Sequence, residues 1–185
     1  MNNEYTDEEK RELLKLARNV IKAKVSGVKT PSKTTDNKKF KSKRGVFVTL
    51  HKNKDLRGCI GYPLPVKPLY SAIIDNAISS ATEDPRFPQV TEDELDKISI
   101  EISILTVPQE IEDYHSIIIG KDGIIISKDF NRGLFLPQVP VEQGWNLEQY
   151  LSYGCLKAGL IQDEWKKEVK IETFQAIIFS DNDYK

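Results

Sequence analysis

Ile98-Ser99-Ile100-Glu101-Ile102-Ser103-Ile104 places isoleucine at every second position, with small or acidic polar residues between. Because successive side chains of a strand point to opposite faces, this period of two predicts a β-strand with one apolar and one polar face. Such a half-buried strand is typical of an antiparallel sheet whose core lies on one side. Glu101 is the only charged residue in the segment.

A hairpin is predicted upstream of this strand. Val46–Leu50 and Leu56–Gly61 are rich in β-formers and flank the turn-forming residues Lys52–Asp55. With a two-residue loop, His51 would pair with Leu56 and point away from the face that carries Cys59; a three-residue loop would reverse this.

More strands are predicted downstream. Residues 117–119 and 124–126 are isoleucine runs that surround Gly120–Gly123, a second hairpin signal, and Leu134–Leu136 follows as the next strand. The last β-prone run is Val169–Phe179. Its apolar alternation changes phase near the middle, which predicts a bulge.

Helices are predicted beside the sheet. Thr6 with Glu9, and Thr91 with Glu94, have the spacing of a capping box, and Asn146 is a further N-cap residue. Helices that are segregated from antiparallel strands define the α+β class, so we expect an antiparallel sheet with flanking helices in one domain over residues 1–185.

Composition excludes several classes of protein. The chain has 185 residues, and 27 Lys and Arg nearly balance 28 Asp and Glu, which argues against a wholly basic nucleic-acid binder. No apolar run approaches the roughly 20 residues of a membrane helix, and Met1–Glu4 lacks the basic start of a secretory signal. Two cysteines are too few for a disulfide scaffold, so we expect a cytoplasmic protein.

A Lys-rich stretch, residues 29–44, is predicted to be a loop or flap. Clustered lysines attract polyanions, so a nucleic-acid contact is one interpretation. A solvated surface loop is the other, and we favour it because Phe40 is the only aromatic residue there.

The segment Leu56–Gly61 contains the two residues that most clearly suggest a functional site, Arg57 and Cys59. Strict alternation would place Arg57 and Cys59 on one face, where a cation stabilises a thiolate. A reactive cysteine in a cleft is therefore one interpretation. The other is that Cys59 is a small buried residue and Arg57 a structural ion-pair donor. Cys155 lies on a helical apolar stripe and is expected in the core.

A second candidate segment is Glu83–Pro88, a proline-stiffened corner. Asp84 and Arg86 either bind a ligand there or fix the loop through their own ion pair. Glu101 either faces solvent or partners Arg57 or Arg86. The sequence has no CxxC pair and no HExxH spacing, so no metal site is predicted and no cofactor is indicated.

These residues resemble the AMMECR family, whose prokaryotic members are called AmmeMemoRadiSam system protein A. Leu56-Arg57-Gly58-Cys59-Ile60-Gly61 is similar to the family's signature hexapeptide, and the resemblance covers about Arg44 to Phe179. Gln89 replaces a frequent second proline, and Asn146 replaces a frequent Asp. The other matching motifs follow in the family's order: Arg44–Leu50, Asp84–Pro88, Ile100–Thr106, Gly133–Val139, Gly144-Trp145 and Cys155–Leu160.

The resemblance implies an α+β fold of two unequal lobes, the larger containing both chain ends, with a cleft at the signature segment. It also implies association with a Memo-type protein, which resembles extradiol dioxygenases, and with a radical SAM protein. It does not imply an established reaction.

Three functions are therefore expected, in decreasing order. The first is a cleft enzyme or small anionic-ligand binder, in which Arg57, Asp84 and Arg86 hold the ligand, Cys59 is the nucleophile or contact, and Glu101 is a general base. The second is a non-catalytic adaptor for the Memo-type and radical SAM proteins. The third is nucleic-acid contact through the Lys-rich loop.

Overall fold

A computed structural model describes residues 4–32 and 34–184. Residues 1–3, on which the expectation about a secretory signal partly rests, lie outside the described residues, as do residue 33 of the Lys-rich stretch and residue 185. The described chain divides into two compact units. The first comprises the residues up to Leu105 together with those from Ile177 onward, and the second comprises Thr106–Ala176.

The helices and strands alternate irregularly along the chain, which fits the α+β class rather than a repeated βαβ pattern. In chain order they are α1 (Asp7–Val25), α2 (Lys38–Lys41), β1 (Val46–Lys52), β2 (Asp55–Tyr62), α3 (Leu69–Thr82), β3 (Ile98–Leu105), β4 (Gln109–Glu110), β5 (Gly123–Lys128), β6 (Asn131–Phe135), α4 (Val139–Gln143), α5 (Leu147–Lys157), β7 (Lys170–Phe174) and β8 (Ala176–Ser180).

The first unit is built on a four-stranded sheet in the order β2-β1-β3-β8. β1 pairs antiparallel with β2 on one side and with β3 on the other. The isoleucines of β3 are buried, as their alternation predicts, and α1 and α3 pack against each other and against this sheet. The predicted α+β class, with antiparallel sheets and flanking helices, is confirmed.

The hairpin of β1 and β2 turns at Asn53 and Lys54, both of which have positive φ, as a two-residue type I′ turn requires. His51 pairs with Leu56, but Leu50 pairs with Gly58. Arg57 is therefore an extra residue in β2, and the strand contains a bulge that the sequence analysis did not predict.

Next to this bulge, α3 approaches β2 unusually closely. A Cβ atom on Gly58 would lie 2.1 Å from the backbone oxygen of Ser80, a distance that no side chain allows. The Ser80 hydroxyl accepts a hydrogen bond from Ile60 N–H at 2.9 Å and donates one to the Val48 carbonyl at 2.7 Å. Because Val48 and Ile60 are partners in the ladder, this hydroxyl bridges the two strands.

The second unit contains a sheet in the order β4-β7-β5-β6, with α5 packed against β5 and β6. Two sequence predictions fail here. Residues 117–119 form no strand; instead the Asp122 carboxylate accepts a hydrogen bond from Ile118 N–H and closes a turn. Val169–Phe179 is not one bulged strand, because β7 belongs to this sheet and β8 to the sheet of the first unit.

The later part of the Lys-rich stretch contains the short helix α2. Phe40 of α2 is completely buried, and the helix is capped by Asn37, whose side chain accepts a hydrogen bond from Lys39 N–H. Lys39 and Arg44 form ion pairs with Glu9 and Glu4. Two of the cations are thus neutralised within the chain, which weakens the nucleic-acid hypothesis. Within residues 4–32 and 34–184, no helix is long and apolar enough to cross a membrane.

We predict that Gly58→Ala destabilises the first unit by about 3 kcal/mol or more, because the new methyl group would force α3 away from β2. Urea unfolding at neutral pH measures this loss. Gly27→Ala is the matched control: its φ of +67° costs about 1–2 kcal/mol, but nothing lies within 4 Å of the added Cβ. Equal losses in the two variants would contradict the close-approach argument.

Candidate functional site

Cys59 lies on a polar row that crosses the first sheet. Cys59 of β2 pairs with Thr49 of β1, and Thr49 pairs with Glu101 of β3. The Thr49 hydroxyl donates a hydrogen bond to Cys59 Sγ at 3.3 Å, and the cysteine is partly exposed. We call this side of the sheet the polar face; Thr49, His51, Cys59, Ser99 and Glu101 define it. Sequence reasoning missed Thr49, because an unbulged hairpin would pair Cys59 with Val48.

The bulge also corrects the expected relation of Arg57 to Cys59. Strict alternation would put the two side chains on one face, but Arg57 is the unpaired extra residue of β2, so alternation does not hold across it. Because of this bulge, the prediction that alternation places the side chains of Arg57 and Cys59 on the same face of the sheet is wrong.

Arg57 is committed to protein acceptors. Its Nε and Nη2 donate to the two carboxylate oxygens of Glu94 at 3.1 and 2.9 Å, and Nη1 donates to the Pro88 carbonyl at 2.8 Å. Nη2 also donates to the carbonyl of Gln89. A guanidinium with these partners is a structural ion-pair donor, the alternative that sequence analysis left open, and it fastens the segment after α3 to β2.

Glu94 is the anionic centre of this cluster. Hydrogen bonds from Arg57, then Lys52 and the Thr91 backbone, hold the pKa of the Glu94 carboxyl well below its usual range. The capping-box spacing predicted the Thr91 contact, but nothing in the sequence indicated that Arg57 and Lys52 converge on the same carboxylate.

The Asp84–Arg86 corner lies against the edge of β2. Asp84 Oδ2 accepts a hydrogen bond from Cys59 N–H at 2.8 Å, and Arg86 Nη2 donates to the Cys59 carbonyl at 3.1 Å. Arg86 also donates through Nε and Nη2 to both Asp84 oxygens, and these bonds hold the pKa of the Asp84 carboxyl well below its usual range. The corner therefore fixes the backbone of the cysteine itself.

The cation beside Cys59 is Arg86, not Arg57. The Asp84 side chain is 2% exposed, whereas that of Arg86 is 54% exposed. The pKa of Arg86 is raised mainly by its hydrogen bond to Asp84, with a smaller part from interaction with the Cys59 side chain. A buried carboxylate thus holds a half-exposed guanidinium next to the thiol.

Glu101 lines a groove on the polar face. The groove has a volume of about 500 Å³ and is also lined by His51, Ser99, Ser180 and Asn182. Glu101 partners neither arginine, since Arg57 binds Glu94 and Arg86 binds Asp84.

His51 lies on the same face as Cys59, contrary to the expectation for a two-residue loop, because the bulge inverts the alternation of β2. The two residues occupy different rows, since His51 pairs with Leu56 and Cys59 with Thr49. The chain's other cysteine, Cys155, is fully buried in the second unit, and burial raises the pKa of its thiol. Among the described residues, no group of three or more His, Cys, Asp and Glu is placed to hold a metal ion.

A family model described as AMMECR1 matches residues 14–179. The chain belongs to the AMMECR1 family. It is 48% identical over 185 residues to a protein of Methanothermobacter thermautotrophicus, covering 95% of each chain. It is 54% identical over 151 residues to a protein of Methanocaldococcus jannaschii, covering 77% of this chain and 75% of the relative.

A solved structure supports the fold of this AMMECR1-family chain. The crystal structure of an uncharacterised protein from Pyrococcus horikoshii has a TM-score of 0.75 and 42% sequence identity, and covers 95% of this chain and 92% of that chain. The family predicted from the motifs is thereby confirmed, and the relatives are uncharacterised proteins.

We predict that Glu94→Gln destabilises the protein by about 3 kcal/mol at neutral pH, because it leaves a buried guanidinium without its anion. Since the pKa of Glu94 is lower in the folded state, its contribution is complete above the unfolded pKa of about 4.3 and is lost as pH falls further. The difference between wild type and variant should therefore shrink below about pH 5.

Urea midpoints at neutral pH and near pH 4 measure this effect. Asp96→Asn is the control, because Asp96 is 93% exposed in its pair with Lys22 and should change stability by less than about 0.5 kcal/mol. A difference for Glu94→Gln that stays constant with pH would contradict the assignment.

Proposed function

We propose that this AMMECR1-family chain is a cleft enzyme or binder of a small anionic or electrophilic molecule, with Cys59 as the nucleophile or direct contact. The observation that carries the proposal is the arrangement around one partly exposed sulfur atom. Cys59 Sγ receives a hydrogen bond from Thr49, and the guanidinium of Arg86 donates to the carbonyl of the same cysteine at 3.1 Å. A hydroxyl donor and a fixed cation both stabilise a thiolate, the reactive form of cysteine.

The surrounding residues support distinct roles. Arg86 keeps Nη1 without a partner among the described residues, so it can bind an anionic group while its other nitrogens hold Asp84. Glu101, one residue further along the polar row, is the candidate general base. Asp84 and Arg57 act as positioning residues, since their polar atoms are occupied by the protein.

The second candidate is a non-catalytic adaptor, because the family resemblance implies association with Memo-type and radical SAM proteins. Leu56, at the start of the signature segment, is 40% exposed on an edge strand, and this apolar side chain would suit a protein contact. Pull-down with both partners tests the adaptor: Leu56→Ser should weaken capture, and Arg86→Gln should leave it intact. The reverse pattern would favour the ligand site.

We predict that iodoacetamide alkylates Cys59 near neutral pH and leaves Cys155 unmodified in the folded protein. The reason is that Cys155 is buried and burial raises the pKa of its thiol, while Cys59 is partly exposed next to a cation. Peptide mass spectrometry of timed samples measures the two rates. Alkylation of Cys59 no faster than that of Cys155 would remove the nucleophile from the proposal.

Arg86→Gln should slow the alkylation of Cys59 by roughly threefold to tenfold, because the variant removes the adjacent positive charge. Arg86→Lys keeps a cation and should restore much of the rate. Lys24→Gln, which removes an exposed cation on α1, is the matched control and should leave the rate unchanged. An unchanged rate in Arg86→Gln, at wild-type stability, would show that the guanidinium does not activate the thiol.

A further inference from the structure

The groove at Glu101 is built from hydrogen-bonding groups supplied by separate parts of the chain. β1 contributes His51, β3 contributes Ser99 and Glu101, and the chain's last strand and the turn after it contribute Ser180 and Asn182. Its volume of about 500 Å³ lies in the range of sites for small molecules. The groove is polar, so it suits a ligand that donates and accepts hydrogen bonds.

Glu101 is the group in this groove that most needs a ligand. Within the described part of the chain, its carboxylate forms no ion pair and accepts no side-chain hydrogen bond. The other carboxylate of the groove, Asp96, is paired with Lys22 and is 93% exposed. A carboxylate without a protein partner on a polar surface is complementary to a cation that donates several hydrogen bonds.

Two lysines also line the groove. Lys54 occupies the exposed β1–β2 turn, and Lys97 is 59% exposed and 3.5 Å from Asp93. Neither pairs with Glu101. The Glu101 carboxylate is therefore left without a cationic partner among the described residues, and a ligand ammonium group can supply one.

Glu101 also belongs to the row that contains Cys59. The row runs from Cys59 through Thr49 to Glu101, and neighbouring strands lie about 4.8 Å apart, so the Cα atoms of Cys59 and Glu101 are separated by roughly 10 Å. One small molecule can span this distance on the same face of the sheet.

We propose that the groove is the recognition half of the Cys59 site and that it selects molecules carrying a primary ammonium group, which Glu101 binds while an electrophilic group reaches Cys59. This inference rests on the proposed function and adds the substrate class: a small amine with its reactive centre a few bonds from the nitrogen. The Ser99 hydroxyl, which also lines the groove, supplies an acceptor for a further ammonium hydrogen.

Affinity alkylation tests the inference. Two chloroacetamides are compared, one with a primary amine on a propyl tether and one with a butyl group of similar length. In each reaction thiolate sulfur displaces chloride and forms a thioether. We expect the amine probe to label Cys59 roughly fivefold faster, with saturation, as an ion pair at a partly exposed site allows. Butylammonium should compete with the amine probe but not with the butyl probe.

Glu101→Gln should remove the preference for the amine probe, so that the two probes label Cys59 of this variant at the same rate. Glu101→Asp should keep part of the preference, and Glu112→Gln, which removes an exposed carboxylate in the second unit, should keep all of it. Urea midpoints equal to that of the wild type show that the variants retain the fold.

The outcomes separate this inference from the proposed function. Equal labelling by both probes, or a preference that survives Glu101→Gln, overturns the ammonium site while Cys59 remains reactive. Faster labelling by a probe that carries a carboxylate on the same tether also overturns it. Failure of both probes to label Cys59 instead removes Cys59 as the nucleophile of the proposed function. In that event, the backbone amide NMR signals of Ser99 and Glu101 decide the question. Saturable shifts of these signals on titration with butylammonium would still show an ammonium site, and the absence of shifts would exclude one.

Discussion

The contact between α3 and β2 at Gly58 is the constraint on which the first unit and its candidate site depend. Only a residue without a side chain lets the helix backbone lie so close to the strand, and the Ser80 hydroxyl then enters the β1–β2 ladder. The same contact fixes where α3 ends relative to β2. The chain that leaves the helix therefore meets the edge of the sheet at Cys59, which Asp84 and Arg86 hold from outside.

Two arginine–carboxylate pairs lie at this edge, and they differ in their exposure to solvent. Both side chains of the Arg57–Glu94 pair are buried, and their hydrogen bonds hold the segment after α3 against β2. The pair of Asp84 and Arg86 is asymmetric, with the carboxylate enclosed and the guanidinium half-exposed. Because a fixed, partly solvated cation can act on a neighbouring group, the second pair and not the first is suited to influence Cys59.

The limits of sequence reasoning follow from the same physics. Period-two alternation revealed β3, and capping residues revealed the start of α1, because these signals are local. The bulge at Arg57 leaves no signal in the local apolar pattern, and the residue beside it, Gly58, packs against a helix that is distant in sequence. Because of this one extra residue, Cys59 pairs with Thr49 instead of Val48. The bulge also means that strict alternation no longer relates Cys59 to Arg57. The residues of the site could therefore be named from the sequence, whereas their pairing could not.

The edge position of β2 links the stability of the strand to the surroundings of Cys59. An edge strand exposes backbone groups that can recruit other chains, and proteins cover such groups with charged or bulky neighbours. Here the N–H and C=O groups of Cys59 are covered by Asp84 and Arg86, the same pair that brings a cation to the sulfur. Replacing Asp84 would expose the edge of β2 and release Arg86 at the same time. The effect of the substitution on the Cys59 thiol could therefore not be separated from its effect on the strand. Arg86, whose end reaches solvent, is the one member of the pair where charge can be changed while the carboxylate still covers the strand.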